Sequence, residues 1–102
     1  MGSGYRVLAR NWRCRLGEID LVLARGTMLI VCEVKARRDT RFGAPFDAVD
    51  LRKRRKLRAL AEAFLASEGA VTGGPVTDVR FDVASVVFSG RGLSLHVYED
   101  AF

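Results

Sequence analysis

Two acids and a lysine lie inside a stretch that otherwise reads as a buried β-hairpin, GEIDLVLARGTMLIVCEVK, Gly17 to Lys35. A charge withdrawn from water must be paired or must hold an ion, so few arrangements tolerate this pattern. Glu18–Ala24 and Met28–Lys35 are rich in branched and aliphatic residues and read as consecutive strands, with Arg25-Gly26-Thr27 between them. A two-residue turn at Gly26-Thr27, with positive φ at its first position, places Asp20 opposite Glu33 and Glu18 opposite Lys35. Side chains alternate between faces of a strand, so Glu18, Asp20, Glu33 and Lys35 share one face. Ile19, Leu21, Leu23, Ile30, Cys32 and Val34 take the other. A slip of one residue would part the two acids, which makes the register decisive.

Carboxylates directly opposite one another, with Cβ atoms roughly 4.5–5.5 Å apart, repel unless a cation lies between them. Hard oxygen donors suit Mg²⁺ or Mn²⁺ with waters completing the octahedron, so Asp20 and Glu33, with the Val34 backbone carbonyl, are the candidate ligands. Glu18 stands behind them as an outer partner or substitute ligand. Lys35, on the same face, is placed to orient a water or to stabilise charge developing on a phosphate. The competing reading is a salt-bridged hairpin whose acids and lysine only neutralise one another.

Asp20, followed across the hairpin by Glu33-Val34-Lys35, matches the PD-(D/E)xK nuclease signature. The longer string Gly4–Asp20, with Glu33–Arg38, Phe42-Gly43 and Glu99–Phe102, resembles the bacterial YraN-like family, itself similar to archaeal Holliday-junction resolvases. The resemblance implies a restriction-endonuclease-like mixed β-sheet and Mg²⁺-dependent phosphodiester hydrolysis, acting on branched or otherwise structured DNA. It assigns Asp20, Glu33 and Lys35 as the catalytic set. Members of that family carry an N-terminal helix with a further glutamate, whereas this chain starts at the first strand, after a Met1–Ser3 segment that resembles a cloning remnant. One family ligand is therefore expected to be missing. That leaves two alternatives to an endonuclease: a DNA-binding module of the same fold that cleaves nothing, or a protein-interaction domain that docks an acidic partner.

The 102 residues allow one domain, 1–102, and 17 Lys and Arg against 12 acids give a net charge of +5. Such a balance favours a polyanion, with DNA as the first expectation. No apolar run approaches the ~20 residues that span a bilayer, and no secretory leader is visible, so no membrane association is expected. Cys14 and Cys32 lack CxxC spacing and read as reduced thiols of a cytoplasmic protein.

Around the hairpin, Tyr5–Trp12 reads as a first strand with Tyr5, Val7 and Ala9 on one face, and Asn11–Leu16 as a turn; Trp12 is expected in the core. Ala36–Asp47 reads as a loop leaving the site, and its Arg37, Arg38 and Arg41 are suited to bidentate phosphate contacts. Leu57, Leu60, Ala61, Phe64 and Leu65 mark the buried stripe of a helix over 51–67, with Asp50 as N-cap and Gly69 as stop. The first turns of that helix carry Lys53, Arg54 and Arg55 among further cations. This is the unfavourable end of the macrodipole, at ~0.3–1 kcal/mol per charge, which phosphate binding would explain. After a Gly-rich linker over Glu68–Asp78, Arg80–Phe88 and Leu93–Tyr98 read as strands. Arg80 is the expected partner of Asp82, and His96 reads as a packed or surface residue. The resulting order, β-β-β-α-β-β, gives an α+β fold with one long helix on a mixed sheet. A missing first helix would leave part of the other face uncovered, which points to a homodimer or to poor solubility.

Overall fold

A computed structural model describes residues 4–37, 51–68, 75–90 and 92–101. The elements are β1 (Arg6–Cys14), β2 (Gly17–Arg25), β3 (Met28–Arg37), α1 (Leu51–Glu68), β4 (Asp78–Ser89) and β5 (Gly92–Tyr98). They form one mixed sheet in the order β1-β2-β3-β4-β5. Antiparallel pairing joins β1 to β2, β2 to β3 and β4 to β5, while β3 and β4 run parallel. A parallel pair needs a crossover, and α1 lies between those two strands in sequence. The expected order and fold class are both present.

α1 lies on one face because its stripe matches the apolar positions beneath it. Leu60, Ala61 and Phe64 cluster with Ile19, Val22, Leu29 and Val31. Trp12 meets Phe64 edge-on, ring centroids 5.3 Å apart, so it packs in the core as expected. Gly26 has φ +58°, the left-handed value that the two-residue turn requires, and Arg25 then pairs with Met28 in the expected register.

Several local readings are corrected. β1 continues through Cys14, so the turn shrinks to Arg15-Leu16; Asn11, at φ +51°, kinks the strand without ending it. The β1–β2 register shifts between Val7 and Ala9, which breaks the expected alternation: Val7 is exposed and Ala9 packs on the core. Ile19, expected opposite the acids, belongs to the helix-side cluster. β3 extends through Ala36 and Arg37, which read as loop, because β4 pairs with it to the end. Asp50, Gly69 and most of the segments read as the post-hairpin loop and the linker lie outside the described residues.

The face opposite α1 carries two features. One is a polar knot. Asp82, fully buried, accepts two 2.9 Å hydrogen bonds from Arg80 (Nε to Oδ1, Nη2 to Oδ2) and a third, also 2.9 Å, from the Asp100 backbone amide. Arg80 also reaches Glu99 at 3.4 Å and the Tyr5 hydroxyl at 3.5 Å. Arg25 lies over the Tyr5 ring at 5.1 Å, and hydrogen bonds from Arg80 and then Arg25 lower the Tyr5 phenol below its ordinary range. The other feature is apolar. Val34, Phe88, Leu93 and Leu95 are exposed, and the β3–β4–β5 registers place them on a single face.

Candidate acidic site

The β2–β3 ladder ends at Leu21–Cys32, one pair short of Asp20 and Glu33. Beyond it the Val34 amide donates to Asp20 Oδ2 at 2.8 Å, so a side-chain carboxylate stands in for a ladder carbonyl. The strand pair thus comes apart where the acids are, and a cavity of about 170 Å³ opens between β2, β3 and α1. Glu18, Asp20, Glu33, Lys53 and Lys56 line it above an apolar floor of Ile19, Val31, Cys32, Leu57 and Leu60.

Glu33 is held from the helix. Lys53 Nζ donates to Oε1 at 3.1 Å and stands 3.0 Å from Oε2, poorly aligned for a hydrogen bond there. Oε2 is therefore buried beside a positive charge without a hydrogen bond. Lys56 passes close to the strand edge: a Cβ on Gly17 would meet its Cε at 3.2 Å, and Gly17 has φ +149°. Both facts favour glycine at this position.

The expected set is only partly assembled. Asp20, Glu33 and Glu18 share the cavity, but Glu18 turns to Arg13 on β1 at 2.9 Å instead of facing Lys35. Lys35 shares Glu33's face by alternation, yet it is not part of the lining; its neighbour on β4 is Ser85. Ser85 pairs in turn with His96 on β5, and its fully buried Oγ has no hydrogen-bond partner among the described residues. Neither Ser85 nor the inward role of Lys53 was predictable, because each depends on which strand or helix lies alongside. Arg54 flanks Phe81 on the other side of α1, and Arg55 is exposed. Arg37 closes β3 opposite Val87, while Arg38 and Arg41 lie outside the described residues.

The donors suit a hard cation. All three acids offer oxygen, and Glu33 Oε2 is buried without a hydrogen bond. Among the described residues no three His, Cys, Asp or Glu side chains converge as a ligand cluster. Asp20 and Glu33 are the residues that could hold such an ion, as Mg²⁺ takes one or two carboxylates and completes its shell with water.

Cys32, unbridged and fully buried, forms part of the floor. Burial first, and the Asp82 charge second, push its thiol from 9.0 to about 11. The unfolded chain releases this proton near 9 and the folded chain only near 11, so the contribution is complete below pH 9 and is lost as pH rises to 11. The loss is expected to be on the order of 2 kcal/mol. Urea unfolding at pH 8 to 11 should show a steeper decline for the native chain than for Cys32→Ala.

A mixed five-stranded sheet, with one helix packed on it and an acid-lined cavity between them, defines a small α+β fold. The chain belongs to the uncharacterised protein family UPF0102, whose pattern matches residues 1–86. It is 44% identical over 95 residues to a UPF0102 protein of Nocardioides sp., a match covering 93% of this chain and 73% of that relative. A UPF0102 protein of Acidothermus cellulolyticus is 48% identical over 90 residues, covering 82% of this chain and 68% of the relative. One from Stutzerimonas stutzeri is 40% identical over 100 residues, covering 98% and 81%. Among the described residues no helix is long and apolar enough to cross a membrane.

Proposed function

We propose that this domain is a metal-dependent endonuclease of the PD-(D/E)xK type acting on DNA, with branched or structured DNA as its preferred substrate. The observation that carries the reading is the opening of the hairpin at its acids. Asp20 and Glu33 line one cavity, and Glu33 keeps a buried oxygen without a hydrogen bond. Asp20 and Glu33, with the Val34 carbonyl, would hold Mg²⁺ or Mn²⁺, and such an ion supplies a polarised phosphate and a bound water of lowered pKa. Lys35, beyond Glu33 on the same face, orients the attacking water or supports charge on the phosphate. Arg54 and Arg55 on α1, with Arg37 at the end of β3 and Arg38 and Arg41 beyond it in sequence, bind backbone phosphates irrespective of sequence, which makes affinity fall steeply with salt.

A second reading, a DNA-binding module without cleavage, draws support from the Lys53–Glu33 ion pair, which already neutralises one acid. Incubation with supercoiled plasmid and with a four-way junction, with and without Mg²⁺, separates the two. Cleavage is expected from the native chain and is expected to fall at least about 100-fold in Lys35→Ala, a loss equivalent to roughly 3 kcal/mol in the barrier. Equal product from both proteins would reject the endonuclease reading. Binding without product in any metal would favour the module.

A further inference from the structure

We propose that Lys53 is the resident cation of the acidic site: it holds Glu33 until a divalent ion displaces it, and then passes to a phosphate of the bound nucleic acid. This rests on the metal-site reading above and adds to it the group that gates the site. The ammonium lies 3.0 and 3.1 Å from the two Glu33 oxygens, so it fills the space from which a hard cation would be coordinated. A single carboxylate cannot serve both at full strength, because two cations brought within a few ångströms repel. The pair is also shallow enough to exchange, with side chains 38% and 27% exposed.

Where the amine goes next follows from its position. Lys53 is in the first turn of α1, which has no acidic residue, so the positive end of the helix dipole faces a positive side chain and Glu33 relieves the conflict. Once a metal claims Glu33, Lys53 loses that anion, and a phosphate can take its place. Among the described residues that line the cavity, three acids against two lysines give a formal charge of minus one, and a divalent ion makes it plus one. That sign draws a phosphodiester, and Lys56 on the same wall receives it beside Lys53. Metal and phosphate thus bind in order, with Lys53 as the coupling element.

The test is Mn²⁺ affinity, by electron paramagnetic resonance of the free ion, for the native chain, Lys53→Met, Lys53→Gln and Lys56→Met, with DNA affinity measured at saturating Mn²⁺ on the same proteins. Both Lys53 variants are expected to bind Mn²⁺ about tenfold more tightly and DNA several-fold more weakly, two effects of opposite sign that a merely structural lysine would not produce. Lys56→Met should weaken DNA binding and tighten Mn²⁺ binding less than Lys53→Met. Thermal unfolding close to the native midpoint would exclude loss of the fold, and two replacements of different polarity guard against one that fails. Mn²⁺ affinity equal in the native chain and the Lys53 variants overturns this inference and leaves the metal site standing. Tighter Mn²⁺ with undiminished DNA affinity overturns the hand-over. If no protein in the set binds Mn²⁺, the metal-site reading falls and takes this inference with it.

Discussion

Replacing Asp82 by Ala is expected to destabilise the domain by about 3 kcal/mol, and replacing Arg80 by Ala by about 4 kcal/mol, the range found when one member of a buried ion pair is removed. The order of the two follows from exposure. Asp82 is fully buried, so without Arg80 its carboxylate keeps only the Asp100 amide. Arg80 is 18% exposed and carries a long stem, so without Asp82 its guanidinium can turn towards Glu99 and water. The Asp82 hydrogen bonds also raise the Arg80 guanidinium, which is therefore never neutral. Against a total of roughly 5–15 kcal/mol for a domain of this kind, either loss is a large fraction.

The same knot ties down the C-terminal turn. Asp100, at φ +53°, donates its amide to Asp82, and the Ala101 amide bonds to the Phe81 carbonyl at 2.8 Å. Hydrogen exchange at Asp100 and Ala101 should therefore accelerate in both variants, beyond the change seen in β2. Urea midpoints measure the global loss. A paired Arg80→Met, Asp82→Leu replacement should regain much of the stability, since an apolar pair in the same space escapes the desolvation term. If the double variant is as unstable as Arg80→Ala, the knot contributes by shape and not by charge.

Much of this fold was legible because its signals are local. Branched residues around Gly26-Thr27 fix a hairpin and its register, and Leu57, Leu60, Ala61 and Phe64 fix a helix and its buried face. Arg80 and Asp82, two apart on one strand, meet as alternation requires. The misreadings arose where local alternation yields to long-range pairing. The shift between Val7 and Ala9 moves β1 residues between faces, and Ile19 joins the core because β2 parts from β3 just beyond Leu21. The site was half legible for the same reason. Asp20 and Glu33 announce themselves as charges in an apolar hairpin, but which cation lies over Glu33 depends on how α1 is laid across the sheet. Lys53 looked outward in sequence, one member of a basic run, yet the helical repeat that buries Leu57 and Leu60 turns it inward with Lys56.

Asp20→Asn and Asp20→Ala are expected to abolish cleavage to the same extent, at least about 100-fold, and to differ in stability. Asp20 has two tasks that these replacements separate. Its Oδ2 accepts the Val34 amide at 2.8 Å where the β2–β3 ladder has ended, and its negative charge faces the cavity that Glu33 shares. The asparagine carbonyl can still accept that amide, so the opening of the hairpin should persist while the charge needed by a divalent ion is gone. Alanine removes both, leaving the Val34 amide without its acceptor, at a cost of about 1.5–3 kcal/mol for a hydrogen bond to a charged group. The informative comparison is therefore between activity and unfolding midpoint in the same two proteins, with the four-way junction as substrate. Matching losses of cleavage with stability lost only in alanine assign the charge to chemistry and the oxygen to architecture. Cleavage retained by Asp20→Asn would mean that hydrogen bonding alone is what the site needs from this residue, and Asp20 would no longer stand as a metal ligand.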